Sequence, residues 1–369
     1  MKRVILITLT VLLVSAIIFG GCAKPAEEAP TTPTTPAAPT TPTAPEVKPI
    51  EWRYATFIPA DESQVVKTMA WAKRLEEATG GRMRITFYCA ESLVKIGGTL
   101  RACEAGTCDI ACPATSVLPE RLPLSMVTNL PMMFSHGTPQ AAQTWMALYN
   151  KYEELRNEYL PTKVLWAQNP GATNLVSANK PIQTLEDLKG LKLRTTTKYE
   201  VKGYALFGAV PVPVSGLERY HALERGITDA NSDDWQAVWT WKLHEVSKYR
   251  TDGINWTHHV IPTIINVESY NKLPEDIKRI FDELTPAMEL SREVGKYHWE
   301  VQSANTEKIK EFDKKVGNPP FYVLPEAERQ RWIEVILPLR EEWASEMEAK
   351  GLPGRAMLAD AIAFAEQYK

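Results

Sequence analysis

The sequence predicts an α/β protein whose folded part is divided into two lobes. Between residues 50 and 112, segments typical of strands alternate with amphipathic helical segments, and the same alternation restarts between residues 163 and 230. Short connections between such elements are typical of parallel strands joined by right-handed crossovers. The 320 residues from Ile50 to Lys369 also exceed the size at which a single hydrophobic core stops growing. We therefore expect two cores.

The first series contains three strands and two helices. In chain order they are strand Glu51–Ala55, helix 62–79, strand Met83–Cys89, helix Lys95–Ala105 and strand Cys108–Cys112. The first helix carries Val65, Met69, Ala72 and Leu75 on one face and stops at two glycines, a C-terminal signal.

The second series repeats this alternation and is followed by a helical C-terminal part. In chain order we predict helix 139–159, strands 163–167 and 174–178, a short helix after Thr184, strand 191–195, helix 199–207, strand 211–214, a helix ending at Arg225, strand 227–230 and helix 235–249. Thr184 with Asp187, and Ser215 with Glu218, have capping-box spacing. Residues 274–316 are predicted to be helical with a kink at Pro286, and closing helices are predicted at 325–350 and 353–368.

The N-terminus predicts export. Lys2 and Arg3 precede an apolar run from Val4 to Phe19, which is typical of a secretory signal rather than of a membrane span of about 20 apolar residues. The stretch 18–22 resembles the bacterial lipobox, which implies a signal peptide over residues 1–21 and a lipid on Cys22. Residues 22–49 contain eight prolines and seven threonines, so we expect an extended tether without a core. A linker with no role beyond spacing has the same chemistry and is the preferred interpretation.

Composition excludes a nucleic-acid surface. The formal net charge of −3 becomes −5 without Lys2 and Arg3, and basic residues are mixed with acids. The sequence contains no G-x-S-x-G elbow, phosphate loop, G-x-G-x-x-G or H-E-x-x-H. No cofactor is expected.

Four cysteines remain after Cys22, namely Cys89, Cys103, Cys108 and Cys112. In an exported chain an even number at close spacing favours disulfides, with three possible connectivities. We favour a Cys103–Cys108 bridge, because the end of a helix and the start of the next strand can bring them together, with Cys89 and Cys112 paired or free. A metal site is disfavoured, since no C-x-x-C spacing occurs and no histidine is closer than His136.

Six segments between residues 76 and 274 occur in the order seen in one known family. They are Glu76-Glu-Ala-Thr-Gly-Gly-Arg-Met-Arg-Ile, Lys180-Pro-Ile, Leu185-Glu-Asp-Leu-Lys-Gly-Leu-Lys-Leu-Arg194, Phe207-Gly-Ala-Val-Pro211, Tyr220-His-Ala-Leu-Glu-Arg-Gly-Ile-Thr-Asp229 and Leu273-Pro274. The chain resembles, over about residues 52 to 345, the DctP-type solute-binding protein of tripartite ATP-independent periplasmic (TRAP) transporters.

The resemblance implies a two-lobed periplasmic-binding-protein-like fold of class II type, with a long shared helix and C-terminal helices. Lobe I would comprise residues 50–171 and 260–299, and lobe II residues 172–259 and 300–369. The resemblance also implies that Arg194 binds the ligand's carboxylate. The chemistry is suitable, because a planar guanidinium is always charged and matches a carboxylate with two hydrogen bonds.

Two places depart from the family pattern. Members often carry a second arginine in a G-x-R context, where this chain has Gly171-Ala-Thr173-Asn174. Where members often have D-G-x-E-N or D-A-x-E-W, this chain has Asp229-Ala-Asn231-Ser232-Asp233-Asp234-Trp235. Asp233 or Asp234 could meet a cationic, hydroxyl or metal-bound part of a ligand, or cap the following helix. Asn174 is kept as a candidate.

Aromatic residues supply the remaining candidates. Among eleven tryptophans, Trp235 and Trp256 are expected at the cleft because they follow family motifs, and Tyr199 is a weaker candidate just after the Arg194 strand. Packing in a core is the alternative role for such side chains.

The resulting interpretation is an extracytoplasmic or periplasmic, membrane-anchored receptor. It would capture a small organic anion, which by charge is expected to be a monocarboxylate, and deliver it to the membrane permease subunits of a TRAP transporter. The alternatives are an extracytoplasmic enzyme that uses Asp233 or Asp234 as acid or base, and a sensor or scaffold whose ligand only signals occupancy.

The lipid anchor is testable through its one cysteine. Cys22→Ser removes the thiol that would carry the lipid, so the protein should move from the membrane fraction to the soluble fraction. Fractionation followed by immunodetection measures this, and unchanged fractionation would contradict the anchor.

Overall fold

The structure is a computed structural model that describes residues 48–135, 137–195 and 197–369. The predicted signal peptide, Cys22 and nearly all of the tether lie outside the described residues. From residue 48 the chain forms one compact unit built around two β-sheets. Within the described ranges no helix is long and apolar enough to cross a membrane.

Eleven strands form the two sheets. They are β1 (Ile50–Thr56), β2 (Met83–Tyr88), β3 (Ile110–Cys112), β4 (Thr162–Gln168), β5 (Asn174–Ser177), β6 (Lys192–Thr195), β7 (Val210–Pro213), β8 (Ala230–Asp233), β9 (Tyr249–Asp252), β10 (Ile261–Asn266) and β11 (Tyr322–Val323). The first sheet has the order β2-β1-β3-β10-β4, and the second has the order β11-β9-β5-β8-β6-β7.

Thirteen α-helices cover the sheets. They are α1 (Ser63–Ala78), α2 (Thr99–Glu104), α3 (Thr138–Lys151), α4 (Glu153–Asn157), α5 (Lys198–Leu206), α6 (Arg219–Glu224), α7 (Trp235–Thr240), α8 (Leu243–Val246), α9 (Val267–Asn271), α10 (Glu275–Glu283), α11 (Ala287–Val316), α12 (Glu326–Ala349) and α13 (Gly354–Gln367). Short 3₁₀ turns occur at Ile96–Gly98, Thr115–Val117, Leu124–Asn129 and Leu185–Leu188.

Both sheets are mixed, although the strands of each predicted β-α-β series pair in parallel. β1 pairs in parallel with β2 and β3, and β6 pairs in parallel with β7 and β8. β10 runs antiparallel to β3 and β4, and β5 runs antiparallel to β8 and β9. The antiparallel strands are those that enter or leave the segments connecting the sheets.

Two crossing segments and one long helix join the sheets. Residues 169–173 connect β4 to β5, and residues 253–260 connect β9 to β10. The two segments pair with each other, since the backbone N–H of Thr173 donates to Thr257 at 3.0 Å and that of Trp256 donates to Thr173 at 2.9 Å. The 30-residue helix α11 packs on α1, α3 and β4 of the first lobe and on α7 of the second. It is the long shared helix that the resemblance implies.

The C-terminal helices pack on both lobes. Buried residues of the first half of α12, including Trp332 and Ile336, lie in the core of the second sheet. The end of α12 and the buried face of α13, including Trp343, Met357 and Ala361, lie in the core of the first lobe. We therefore propose to assign α13 to lobe I rather than to residues 300–369 of lobe II.

Four element predictions differ from the structure. The helix predicted at 139–159 is broken into α3 and α4 at Tyr152, whose backbone is extended. The strand predicted at 227–230 is β8, three residues later, because Gly226 and Ile227 belong to a turn that follows α6. The helix predicted at 235–249 is broken into α7 and α8 at Lys242, whose φ of 57° is left-handed, and is followed by β9. Pro286 does not kink a helix but caps the start of α11. The sequence reasoning also missed β10.

A buried ion pair fastens β9 to α11. Nη2 of Arg250 lies 3.0 Å from Oδ1 of Asp313, and both side chains are almost fully buried. Asp313 also accepts a hydrogen bond from Asn318 at 2.9 Å. Removing one partner of such a pair leaves an uncompensated charge in the core.

Asp313→Ala should therefore lower the free energy of unfolding by about 3 to 5 kcal/mol, because Arg250 then has no anionic partner. Glu311→Ala, at an exposed position of the same helix, is the control and should change the free energy by about 0.5 kcal/mol or less. Urea unfolding followed by circular dichroism measures both, and equal effects would contradict the structural role of the pair.

Candidate functional site

Arg194 lies on the second sheet with its guanidinium buried. It is the third residue of β6, and Leu193 before it points into the core. Only 2% of Arg194 is exposed. Its Nε donates to the carbonyl of Val214 at 3.2 Å, and its Nη1 lies 3.3 and 3.4 Å from the two carboxylate oxygens of Asp233. The burial lowers the pKa of Arg194, although a guanidinium stays charged throughout the physiological range.

Asp233 joins Arg194 to a second arginine. It is the last residue of β8, which pairs with β6 through Arg194 and Asn231. Nη1 of Arg219, at the start of α6, donates to Oδ1 of Asp233 at 2.8 Å. The arginine–aspartate cluster, defined as Arg194, Arg219 and Asp233, thus contains two cations and one anion.

Arg194 keeps hydrogen-bonding capacity. Among residues 48–135, 137–195 and 197–369, none accepts a hydrogen bond from its Nη2. The guanidinium of Arg250 differs, because its Nη1 and Nη2 donate to Ser247, to the carbonyls of Tyr249 and His244, and to Asp313. A guanidinium has five N–H donors in a fixed plane, so the two N–H groups of Nη2 can donate to an oxyanion.

Asp234 caps a helix. Its Oδ1 accepts hydrogen bonds from the backbone N–H of Ala237 at 3.0 Å and from Nε2 of Gln302 at 2.7 Å. It is the N-cap of α7, as one of the two interpretations predicted for this pair of acids. Burial is the main cause that raises the pKa of Asp234, and the hydrogen bond from Gln302 opposes it.

A chain of hydrogen bonds connects the lobes beside Asp234. We call Glu62, Ser63, Gln236, His298 and Gln302 the interlobe clasp. Nε2 of Gln236 donates to Glu62, and Oε1 of Gln236 accepts from the Ser63 hydroxyl at 2.7 Å. Oγ of Ser63 lies 2.7 Å from Nδ1 of His298, and the backbone N–H of Gln236 donates to Oε1 of Gln302 at 2.9 Å. The clasp therefore ties α1 of the first lobe to α7 of the second through α11.

The protonation of the clasp follows from its burial. Burial lowers the pKa of His298 to about 3, so its ring is neutral. Because the Ser63 hydroxyl donates to Gln236, the hydrogen of the His298 ring is assigned to Nδ1, which donates to Ser63. Burial also raises the pKa of Glu62 to about 7, helped by the charges of Asp234 and Asp61 and opposed by Arg219.

Two candidate residues border a separate cavity. Asn174 and Trp235 line a cavity of about 380 Å³ together with Asp252, Asn255 and Trp299, and no member of the arginine–aspartate cluster lines it. Both side chains already have partners. Oδ1 of Asn174 accepts from the backbone N–H groups of Ile254 and Asn255, and Nε1 of Trp235 donates to Asp252 at 3.0 Å.

The other two aromatic candidates lie in the cores instead of the cleft. Trp256 is fully buried and stacks on Tyr204 with ring centroids 4.2 Å apart. Gly203 allows this approach, since a Cβ there would lie 2.5 Å from the indole. Tyr199 is 3% exposed and packs in the core of the first lobe. Both residues therefore pack in a core, as the alternative role for such side chains predicts.

The four cysteines are free thiols in the structure. Cys103 and Cys108 are buried and in hydrogen-bonding contact, which with burial raises the pKa of the Cys103 thiol. Cys112 accepts a hydrogen bond from Gln168 at 3.2 Å, and Cys89 is half-buried. The Cys103–Cys108 bridge stays a prediction, and the contact between the two thiols is compatible with it. Among the described residues, no group of three or more His, Cys, Asp or Glu side chains could hold a metal ion.

Sequence reasoning missed Arg219, Glu62 and Gln236. Arg219 directly precedes one of the family-like segments, but a single arginine at the start of a helix has no signal that separates it from a surface residue. Glu62 and Gln236 are 174 positions apart, so no local pattern could join them.

The two-lobed α/β fold, with two sheets joined by crossing segments and a long shared helix, defines the class of two-lobed solute-binding proteins. A TRAP periplasmic solute-binding protein from Desulfovibrio salexigens DSM2638 is 28% identical and superposes with a TM-score of 0.77, covering 87% of this chain and 97% of its own. A TRAP solute-binding protein from Rhodoferax ferrireducens T118, solved with copurified benzoate, is 23% identical with a TM-score of 0.77, and the match covers 86% of this chain and 98% of that one.

Sequence comparison identifies the family. Residues 54–346 match the bacterial extracellular solute-binding proteins, family 7 (DctP), and the chain belongs to this family. The C4-dicarboxylate-binding periplasmic protein DctP of Rhodobacter capsulatus is 26% identical over 314 residues, which are 82% of this chain and 89% of that protein. The predicted resemblance to TRAP solute-binding proteins and the predicted two-lobed fold are both confirmed.

The raised pKa of Glu62 predicts a pH dependence of stability. A group that binds its proton more tightly in the folded protein than in the unfolded chain stabilises the fold below its unfolded pKa. This contribution is lost as the pH rises from about 4.5 to about 7. Relative to Glu62→Gln, the wild type should lose up to about 1.4 kcal/mol of unfolding free energy per pH unit in this window.

Urea unfolding of both proteins at pH 5 and pH 7.5 measures this difference. The pKa of Glu158 is also raised to about 7 by burial, but Glu158 titrates in both proteins and its effect cancels. A difference between the two proteins that does not change with pH would contradict the assignment.

Proposed function

We propose that this protein is the solute-binding receptor of a TRAP transporter and that its ligand is a small organic monocarboxylate. The single observation that carries the proposal is the arginine–aspartate cluster. Two guanidinium groups share one carboxylate there, so the cluster has one positive charge in excess of its anion. One ligand carboxylate would balance it.

The geometry at Arg194 supports a carboxylate ligand that accepts hydrogen bonds from its Nη2. The Nε edge is held by the carbonyl of Val214 and Nη1 by Asp233, so the side chain is oriented before a ligand arrives. The unused Nη2 is then the donor available to the ligand. Preorganised donors of this kind increase affinity, because little side-chain freedom is lost on binding.

Charge favours a monocarboxylate over a dicarboxylate. Asp234 and Glu62 lie near the cluster, because the charge of Arg219 opposes the rise in pKa that burial causes in both acids. A second ligand carboxylate beside Asp234 would have no cation of its own. The relative from R. capsulatus is by name a C4-dicarboxylate-binding protein, and the R. ferrireducens structure holds benzoate, so family membership leaves both ligand classes open.

The two acids are poorly suited to the alternative role in catalysis. Asp233 is paired with two arginines and Asp234 accepts hydrogen bonds as a helix cap. A general base needs a free lone pair directed at its substrate. We therefore favour a receptor, anchored through Cys22, that delivers its ligand to membrane permease subunits without changing it.

Arg194→Ala should weaken binding of the ligand at least ten-fold, because hydrogen bonds to charged groups contribute about 1.5 to 3 kcal/mol. Arg194→Lys should restore binding only in part, since the planar fork is lost. A thermal-shift screen with benzoate, mandelate and succinate, followed by calorimetry, measures the effect.

Lys192→Ala is the matched control. Lys192 lies on the same strand, and its amino group donates to the carbonyl of Gly226, away from the cluster. It should bind like the wild type. Preferred binding of succinate, or an Arg194→Ala protein that binds like the wild type, would refute the proposal.

A further inference from the structure

We propose that Arg219 is a positioning residue of the carboxylate site. It pairs with Asp233 and so leaves the charge of Arg194 available to the ligand. This inference rests on the proposed function and names a residue that determines its charge specificity.

The distances rank the two arginines as partners of Asp233. Nη1 of Arg219 lies 2.8 Å from Oδ1, within the range of about 2.7 to 2.9 Å that is usual for charge-assisted hydrogen bonds. Nη1 of Arg194 lies 3.3 and 3.4 Å from the two oxygens, which is longer than that range. Arg219 is therefore the main partner of Asp233, and the contact between Asp233 and Arg194 is the weaker of the two.

Arg219 is fixed by groups other than Asp233. Its Nε donates to the carbonyl of Gly216 at 2.8 Å, and its guanidinium lies over the ring of Trp241 at 4.9 Å from the centroid. A Cβ at position 216 would lie 2.8 Å from Nη2 of Arg219, so glycine leaves room for the guanidinium. These contacts hold Arg219 in place in addition to its pairing with Asp233.

Charge balance explains what Arg219 contributes. Asp233 is 5% exposed, and water does little to screen a buried carboxylate. Without Arg219, Asp233 would neutralise Arg194, and a ligand carboxylate would have to compete with it for the same guanidinium. With Arg219 present, the cluster keeps one net positive charge. Glu200 is the other acid near Arg194. It accepts a hydrogen bond from the backbone N–H of Thr197 in the α5 capping box and another from the hydroxyl of Ser232.

The test is a charge-balance rescue, with benzoate and mandelate as probes and calorimetry on the purified full-length protein in detergent. Arg219→Leu should weaken binding at least ten-fold, although Arg194 is unchanged. Arg219→Lys keeps the charge and should bind within about three-fold of the wild type. Arg219→Leu combined with Asp233→Asn should recover binding to within about three-fold of the wild type, because the excess positive charge returns.

Rescue by the double substitution separates charge balance from structure. If Arg219 were needed only for packing, removing the charge of Asp233 as well would not restore binding. Arg225→Leu, at an exposed position just after the same helix, is the control and should leave binding unchanged. Circular dichroism and thermal melting verify that each variant is folded.

Each outcome has one meaning. If Arg194→Ala loses binding but Arg219→Leu binds like the wild type, or if the double variant binds no better than Arg219→Leu, the inference is wrong and the proposed function stands. If the wild type binds neither benzoate nor mandelate, the proposed function is wrong and the inference is overturned with it.

Discussion

The burial of Arg194 is the constraint on which the site depends. A charged guanidinium that is 2% exposed must have partners. Val214 in the loop after β7 and Asp233 at the end of β8 contact Arg194 directly, and Arg219 at the start of α6 contacts Asp233. The order of strands in the second sheet makes this possible, because β6 and β8 are neighbours and pair in parallel. Arg194 and Asp233 are 39 positions apart in the chain but lie at the carboxyl ends of two neighbouring parallel strands.

The chain contains a second buried arginine whose hydrogen bonds differ from those of Arg194. Arg250 and Arg194 are equally buried, and each has an aspartate partner. The terminal nitrogens of Arg250 are occupied by protein acceptors, as expected for a guanidinium that fastens a strand to a helix. Arg194 keeps a terminal nitrogen without a partner among the described residues, so hydrogen-bond satisfaction, rather than burial, separates the two.

The interlobe clasp connects the charged site to the movement expected of a two-lobed protein. Its hydrogen bonds join α1, α7 and α11. Asp234 links the clasp to the cluster, because it accepts a hydrogen bond from Gln302 of the clasp and directly follows Asp233 in the chain. Separating the lobes would break the bonds of Gln236 to Glu62 and Ser63. Since Glu62 holds its proton up to a pH of about 7, the clasp carries less negative charge beside Asp234 than the sequence suggests.

The sequence by itself determined the family and the alternation of strands and helices, because these depend on local patterns: apolar periodicity, caps such as Thr184 with Asp187, and an ordered set of motifs. Only the tertiary structure decided which residues surround Arg194. Arg219, Glu62 and Gln236 have no local signal, and Trp256, expected at the cleft, packs on Tyr204 in a core. Strand order, antiparallel pairing and the partners of buried charges depend on contacts between distant segments, and such contacts leave no periodic trace in a single chain.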